Sequence, residues 1–141
     1  MDYEKKVKKV EKENNALLEE FRQSMINAGL AESTVNKHLD NANFYINEFL
    51  LETEEVYTAA EGCEFIDSFL GDFFIRKCMW STPSTIKTTA SSLKKFYRFM
   101  LDKGAIDEED YAFVCSEIKD NMAEWQEECA RYNDPEDYDL W

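Results

Sequence analysis

Apolar side chains return at three- and four-residue intervals along most of the chain, and caps or glycines bound each run. Residues 4–28 carry the first stripe: Val7, Val10, Leu17, Leu18, Phe21, Met25 and Ala28, closed by Gly29. Residues 31–52 carry the second, with Val35, Leu39, Ala42, Ile46, Phe49 and Leu50 inward and Thr34, Lys37, His38, Asn41 and Asn43 outward. After a short acidic connection, Thr58-Ala59-Ala60-Glu61 has the form of a capping box and predicts a third helix to about Lys77. Its residues Phe65, Ile66, Phe69, Leu70, Phe73 and Phe74 make two adjacent apolar ridges, which places it centrally. Gly71 inside it weakens the helix by about 1 kcal/mol relative to alanine and marks a close helix crossing. Trp80 is expected to pack just before the next cap.

The fourth run, Thr82 to Lys103, sets the problem. Thr82 stands at the cap position, Pro83 in the first turn, and Gly104 at the closing position. Ile86, Ala90, Leu93, Tyr97 and Met100 mark the buried face. Ser84, Lys87, Thr88, Ser91, Lys94, Lys95 and Arg98 make the other face basic and rich in hydroxyls. A fifth helix over about 108–132 follows, capped by Asp107, with Tyr111, Val114, Cys115, Ile118, Met122, Trp125, Cys129 and Tyr132 on one stripe. The acids of 107–110 sit where the helix dipole favours them, a structural role that requires no metal. Residues 133–141 form an acidic tail with aromatic ends.

Charge sharpens the contrast. The chain of 141 residues has a net charge of −14. Residues 106–141 hold 13 acidic and two basic residues, whereas residues 76–103 hold seven basic and one acidic. Such a protein as a whole repels nucleic acid, while a local patch still attracts it. Two readings of the basic face compete: it meets phosphate, or it pairs internally with the acids of the fifth helix.

Other chemistry is sparse. With 44% hydrophobic and 14% aromatic residues the chain can build a core, and one domain of 1–132 is expected. Cys63, Cys78, Cys115 and Cys129 are widely spaced and are expected as reduced thiols. The single histidine, His38, has no partners at metal-ligand spacing, so no metal and no cofactor are expected. There is no Gly-rich phosphate loop and no nucleophile–base arrangement, so the chain reads as a non-enzyme. No apolar run approaches the roughly 20 residues of a membrane span, and the first residues lack a signal-peptide core, which points to the cytoplasm.

Residues 14–104 resemble the N-terminal SAM-like core-binding domain of tyrosine recombinases, the phage-integrase family. The resemblance lies in Leu18-Glu19-Glu20-Phe21, in Gly29-Leu30-Ala31-Glu32-Ser33-Thr34-Val35, and in Ser84-Thr85-Ile86 through Ser92-Leu93-Lys94-Lys95-Phe96-Tyr97-Arg98-Phe99-Met100-Leu101 and Gly104. The triplets Ser33-Thr34-Val35 and Ser84-Thr85-Ile86 also echo each other 51 residues apart. The resemblance implies an all-α, four-helix SAM-like bundle, here with a fifth C-terminal helix. It also implies a half-clamp on double-stranded DNA formed by the second and fourth helices. Carried onto this chain, the contacts would be Ser33, Thr34, Lys37 and His38, then Ser84, Thr85, Lys87, Thr88, Ser91, Lys94, Lys95 and Arg98. Serine, threonine and lysine suit phosphate oxygens without reading a base.

The chain departs from that family in three ways. It lacks the catalytic domain, with one histidine, no H-x-x-R and four arginines. Its charge is acidic where the family's is basic. The fifth helix and the tail stand where a linker to catalysis would be. The resulting expectation is a non-catalytic DNA-binding domain, an accessory to recombination or a mobile element, whose partners are duplex DNA and a recombinase or other DNA-associated protein. The alternative is an acidic helical module for protein contacts that binds no DNA.

Overall fold

The computed structural model describes residues 2–52, 55–78 and 81–133. Trp80 and the tail from residue 134 lie outside these. Among the described residues the chain is all helix, with no strand.

Helix α1 (Tyr3–Asn27) starts from Asp2, whose carboxylate accepts the Glu4 amide at 3.2 Å. Helix α2 (Glu32–Asn43) was expected as one α-helix to residue 52, but it widens into a π turn over Phe44–Phe49. The wider turn lets the neighbours Tyr45 and Ile46 face the core together with Phe49 and Leu50. Asn14 of α1 is buried against it and donates to the Ile46 carbonyl at 3.0 Å.

The third rod is more broken than its periodicity predicts. The Thr58–Glu61 box forms, with Thr58 N donating to Glu61 Oε1 at 2.9 Å and Glu61 N to Thr58 Oγ1 at 3.2 Å. It opens only a 3-10 turn, Glu61–Glu64. After Phe65 the chain continues as α3 (Ile66–Ser68), a π turn (Phe69–Phe73) and α4 (Phe74–Lys77). Gly71 lies in that π turn, and a Cβ there would stand 2.8 Å from the indole ring of Trp125. The glycine is therefore the seat of the fifth rod, and Trp125 Nε1 donates to Asp67 Oδ1 beside it at 2.7 Å.

Helices α5 (Pro83–Asp102) and α6 (Glu108–Tyr132) begin with reciprocal capping boxes, Thr82 with Thr85 and Asp107 with Asp110. Gly104, at φ +80°, closes α5. Counting each broken rod once, five helical rods form the bundle. Helix α5 is its axis: it packs on α2 on one side, on α6 on the other, and on α1 near its end. All five residues of its predicted apolar stripe are buried, joined by Phe96. Rings interlock around it, Phe21 with Phe96 at 5.3 Å and Tyr45 with Phe69 at 4.9 Å. The hydroxyls of Tyr45 and Tyr97 donate to the carbonyls of Gly62 and Ala59, at 2.6 and 2.7 Å, and tie the 59–62 loop to α2 and α5. Two polar residues of α5, Thr89 and Ser92, are also buried.

Candidate nucleic-acid interface

Burying the Ile86–Met100 stripe turns the opposite side of α5 outward. Lys87, Ser91, Lys94 and Arg98 follow one another at helical spacing on that side, and all are exposed. Lys95 is exposed next to them, on the side toward α2. Among the described residues Lys37, Lys87, Lys94 and Lys95 have no carboxylate within 4.0 Å. Arg98 is the exception: its Nε meets Asp102 Oδ1 at 3.2 Å, and its guanidinium lies 5.8 Å from the Tyr111 ring centre.

Helix α6 lies alongside this face without covering it. Together the two helices form an open groove of about 470 Å³. Its α5 wall is Lys87, Ala90, Ser91 and Lys94, and its α6 wall is Cys115, Ile118, Lys119 and Met122. The α6 residues there include no acid and add one lysine, so α6 brings no neutralising charge to that wall. Toward α2 the groove leads to a shallower cavity of about 320 Å³, lined by His38, Ser91, Lys94, Lys95, Arg98 and Tyr111.

The structure thus brings together five of the expected contacts, His38, Ser91, Lys94, Lys95 and Arg98, in one cavity, and Lys87 in the adjoining groove. Lys37 stands close enough to His38 to act on its charge. The remaining hydroxyls are apart. Ser84 precedes Ser92 by about 12 Å along α5, at a rise of about 1.5 Å per residue. Thr85 Oγ1 is engaged in the cap, accepting from Thr82 N at 2.7 Å, and Thr88 Oγ1 donates to the Ser84 carbonyl at 3.1 Å. Ser33 and Thr34 sit at the start of α2, outside both cavities.

His38 is half-buried, and its Nδ1 lies 2.8 Å from Ser92 Oγ. Asn41 Nδ2 donates to the same hydroxyl at 2.9 Å, and Ser92 in turn donates to the Thr88 carbonyl at 3.2 Å. Burial, then Lys95, then Lys37 hold the imidazole below its ordinary pKa. Ser92 and Asn41 carry the site without appearing among the predicted contacts. Their signal was a serine on the inward side of an otherwise apolar stripe. Lys119 was also missed, although only it and Arg131 are basic among the acids of α6.

Among the described residues no group of His, Cys, Asp and Glu could hold a metal ion, and no helix is long and apolar enough to cross a membrane. All four cysteines are free thiols. No family model matches the chain, and neither the curated proteins nor the solved structures compared with it include a match.

Proposed function

We propose that this chain is a non-catalytic, cytoplasmic DNA-binding domain of the kind that tyrosine recombinases carry as their core-binding half-clamp. It would serve recombination or a mobile element as an accessory, beside a recombinase or another DNA-associated protein. One observation carries the reading: Lys37, Lys87, Lys94 and Lys95 stand open and, among the described residues, without acidic partners on a protein of net charge −14. An acidic surface that retains an unneutralised basic face has a use for it, and lysines at helical spacing suit a line of phosphates.

Fluorescence anisotropy with a duplex of about 20 base pairs tests this at about 50 mM salt, where phosphate-driven affinity is strong. The expected result is salt-sensitive binding, weakened at least about tenfold by combined Lys87→Gln, Lys94→Gln and Lys95→Gln. Absence of binding at that salt, or equal affinity in the triple variant, refutes the reading.

A second reading has its own support. The floor of the α5–α6 groove is apolar, formed by Ala90, Ile118 and Met122. Such a floor suits a protein segment better than a duplex, and the chain would then be an interaction module. Met122→Ala separates the two: it changes no charge beside the groove's lysines and should leave duplex affinity within about threefold, but it should weaken peptide-like docking by about tenfold or more.

A further inference from the structure

The hydroxyl of Ser92 has one proton and two lone pairs. It meets three neighbours: Asn41 Nδ2 at 2.9 Å, the Thr88 carbonyl at 3.2 Å and His38 Nδ1 at 2.8 Å. Asn41 uses one lone pair and the Thr88 carbonyl takes the proton. All three contacts are hydrogen bonds at once only if His38 donates from Nδ1 to the second lone pair. The neutral ring is then the Nδ1–H tautomer, and Nε2 carries a lone pair with no proton.

That nitrogen has no hydrogen-bond partner among the described residues, and no buried side-chain polar atom lacks one. Nε2 therefore reaches solvent, on a ring that lines the cavity with Ser91, Lys94, Lys95, Arg98 and Tyr111. The groups around it are all accounted for: Lys37, Asn41 and His38 from α2, Ser91, Ser92, Lys94, Lys95 and Arg98 from α5, and Tyr111 from α6. None is an acid. A solvent-facing acceptor thus stands beside the side chains of Lys94, Lys95 and Arg98, a set of groups that an anion would bridge. An incoming oxyanion suits both the cations and the ring nitrogen. Its negative charge offsets Lys95 and Lys37, Nε2 takes a proton from solvent, and the new N–H donates to an anion oxygen.

We propose that this cavity is a binding site for a phosphate-type oxyanion, and that binding draws one proton onto His38 Nε2. The site uses the same face as the DNA reading and names how one phosphate would be held there, but it does not depend on that phosphate belonging to a duplex. Before binding, the imidazole titrates below its ordinary range because of burial, Lys95 and Lys37. In the complex it titrates higher. Affinity therefore rises as pH falls through the bound-state pKa and levels off below the free-state pKa. Each unit between the two is a tenfold change in affinity.

Because His38 is the single histidine, nitrogen-15 NMR of the whole chain reads it without ambiguity. At pH 8 the ring should show Nδ1 protonated and Nε2 bare, and an Nε2–H ring overturns the proposal. Two titrants then separate the sources. Sulfate mimics a free phosphate dianion without titrating in this range, and duplex DNA supplies phosphodiesters. A rise of the His38 midpoint with both supports an oxyanion site that duplex also fills. A rise with sulfate alone supports the site and tells against duplex there. A rise with DNA alone supports a site filled only from a backbone. No shift with either overturns it. His38→Gln should weaken anion binding at pH 6 toward the level that the unaltered protein shows at pH 8, and should remove the pH dependence. Lys95→Gln should raise the resting midpoint, which a merely structural lysine would not do.

Discussion

Cys63, Cys78 and Cys129 are buried, and Cys115 opens onto the α5–α6 groove. Burial first, then the carboxylates of Asp110, Glu64 and Asp107, push the Cys63 thiol up to about 12. Burial and Glu48 push Cys78 up to about 11. A thiol attacks as its thiolate, so neither reacts near neutrality. With a disulfide reagent at pH 8, one thiol per native chain should react promptly, and Cys115→Ser should remove that phase. Two fast phases in the native protein would contradict the burial described. Tyr97→Phe tests the core in the same way. It leaves the Ala59 carbonyl without its buried partner and should cost about 1–3 kcal/mol in denaturant unfolding. Most buried apolar residues were legible one by one from their spacing. Asn14 and Ser92 were not, because a polar residue on an inward stripe reads as an interruption until its partner is known. Here the partners are a π-turn carbonyl and a histidine ring, both distant in sequence.

At the scale of elements, caps and closers were the most legible features, since they depend on residues only three positions apart. Thr58 makes the expected reciprocal contacts with Glu61, and Thr82 and Asp107, expected as caps, also form reciprocal boxes. The two π turns were not legible. A single turn with a wider repeat differs from a regular one by less than one residue, and pairs such as Phe69-Leu70 and Phe73-Phe74 satisfy both periods. Packing made the choice, and Gly71 shows how. On propensity alone Gly71→Ala should stabilise the rod by about 1 kcal/mol. The new methyl would meet the Trp125 ring at 2.8 Å and Asp67 Oδ1 at 2.9 Å, and those two groups are hydrogen-bonded to each other. Overpacking of that kind costs about 1–3 kcal/mol, so the sign reverses. Gly71→Ala should lower the midpoint of thermal unfolding, and a rise would mean that α6 can move away from the third rod without loss.

At the scale of the molecule, the sequence showed an acidic chain with a basic run, while the relation between the two awaited the position of α6. Arg98 bonds Asp102 of its own helix rather than an acid of α6, and among the described residues Lys87, Lys94 and Lys95 bond no acid. On the DNA-binding reading, the described acids would act on a duplex through space rather than by occupying these lysines. That has a measurable consequence. A protein that neutralised four phosphates with no other field would lose affinity with a slope of about −3.6 in log K against log salt. Here the body of net charge −14 repels the duplex over a Debye length of about 30 Å at 0.01 M salt, shrinking to about 10 Å at 0.1 M. Added salt first removes this long-range repulsion and only then competes with the local lysine contacts. The salt slope should accordingly be shallow, near −1 to −2, between about 10 and 50 mM and steepen above that. Neutralising Glu108, Glu109, Asp120 and Glu124 to their amides should steepen the low-salt limb while leaving affinity at 0.2 M within about twofold. A uniform slope unchanged by those substitutions would mean that the acidic helix is electrostatically invisible from the basic face.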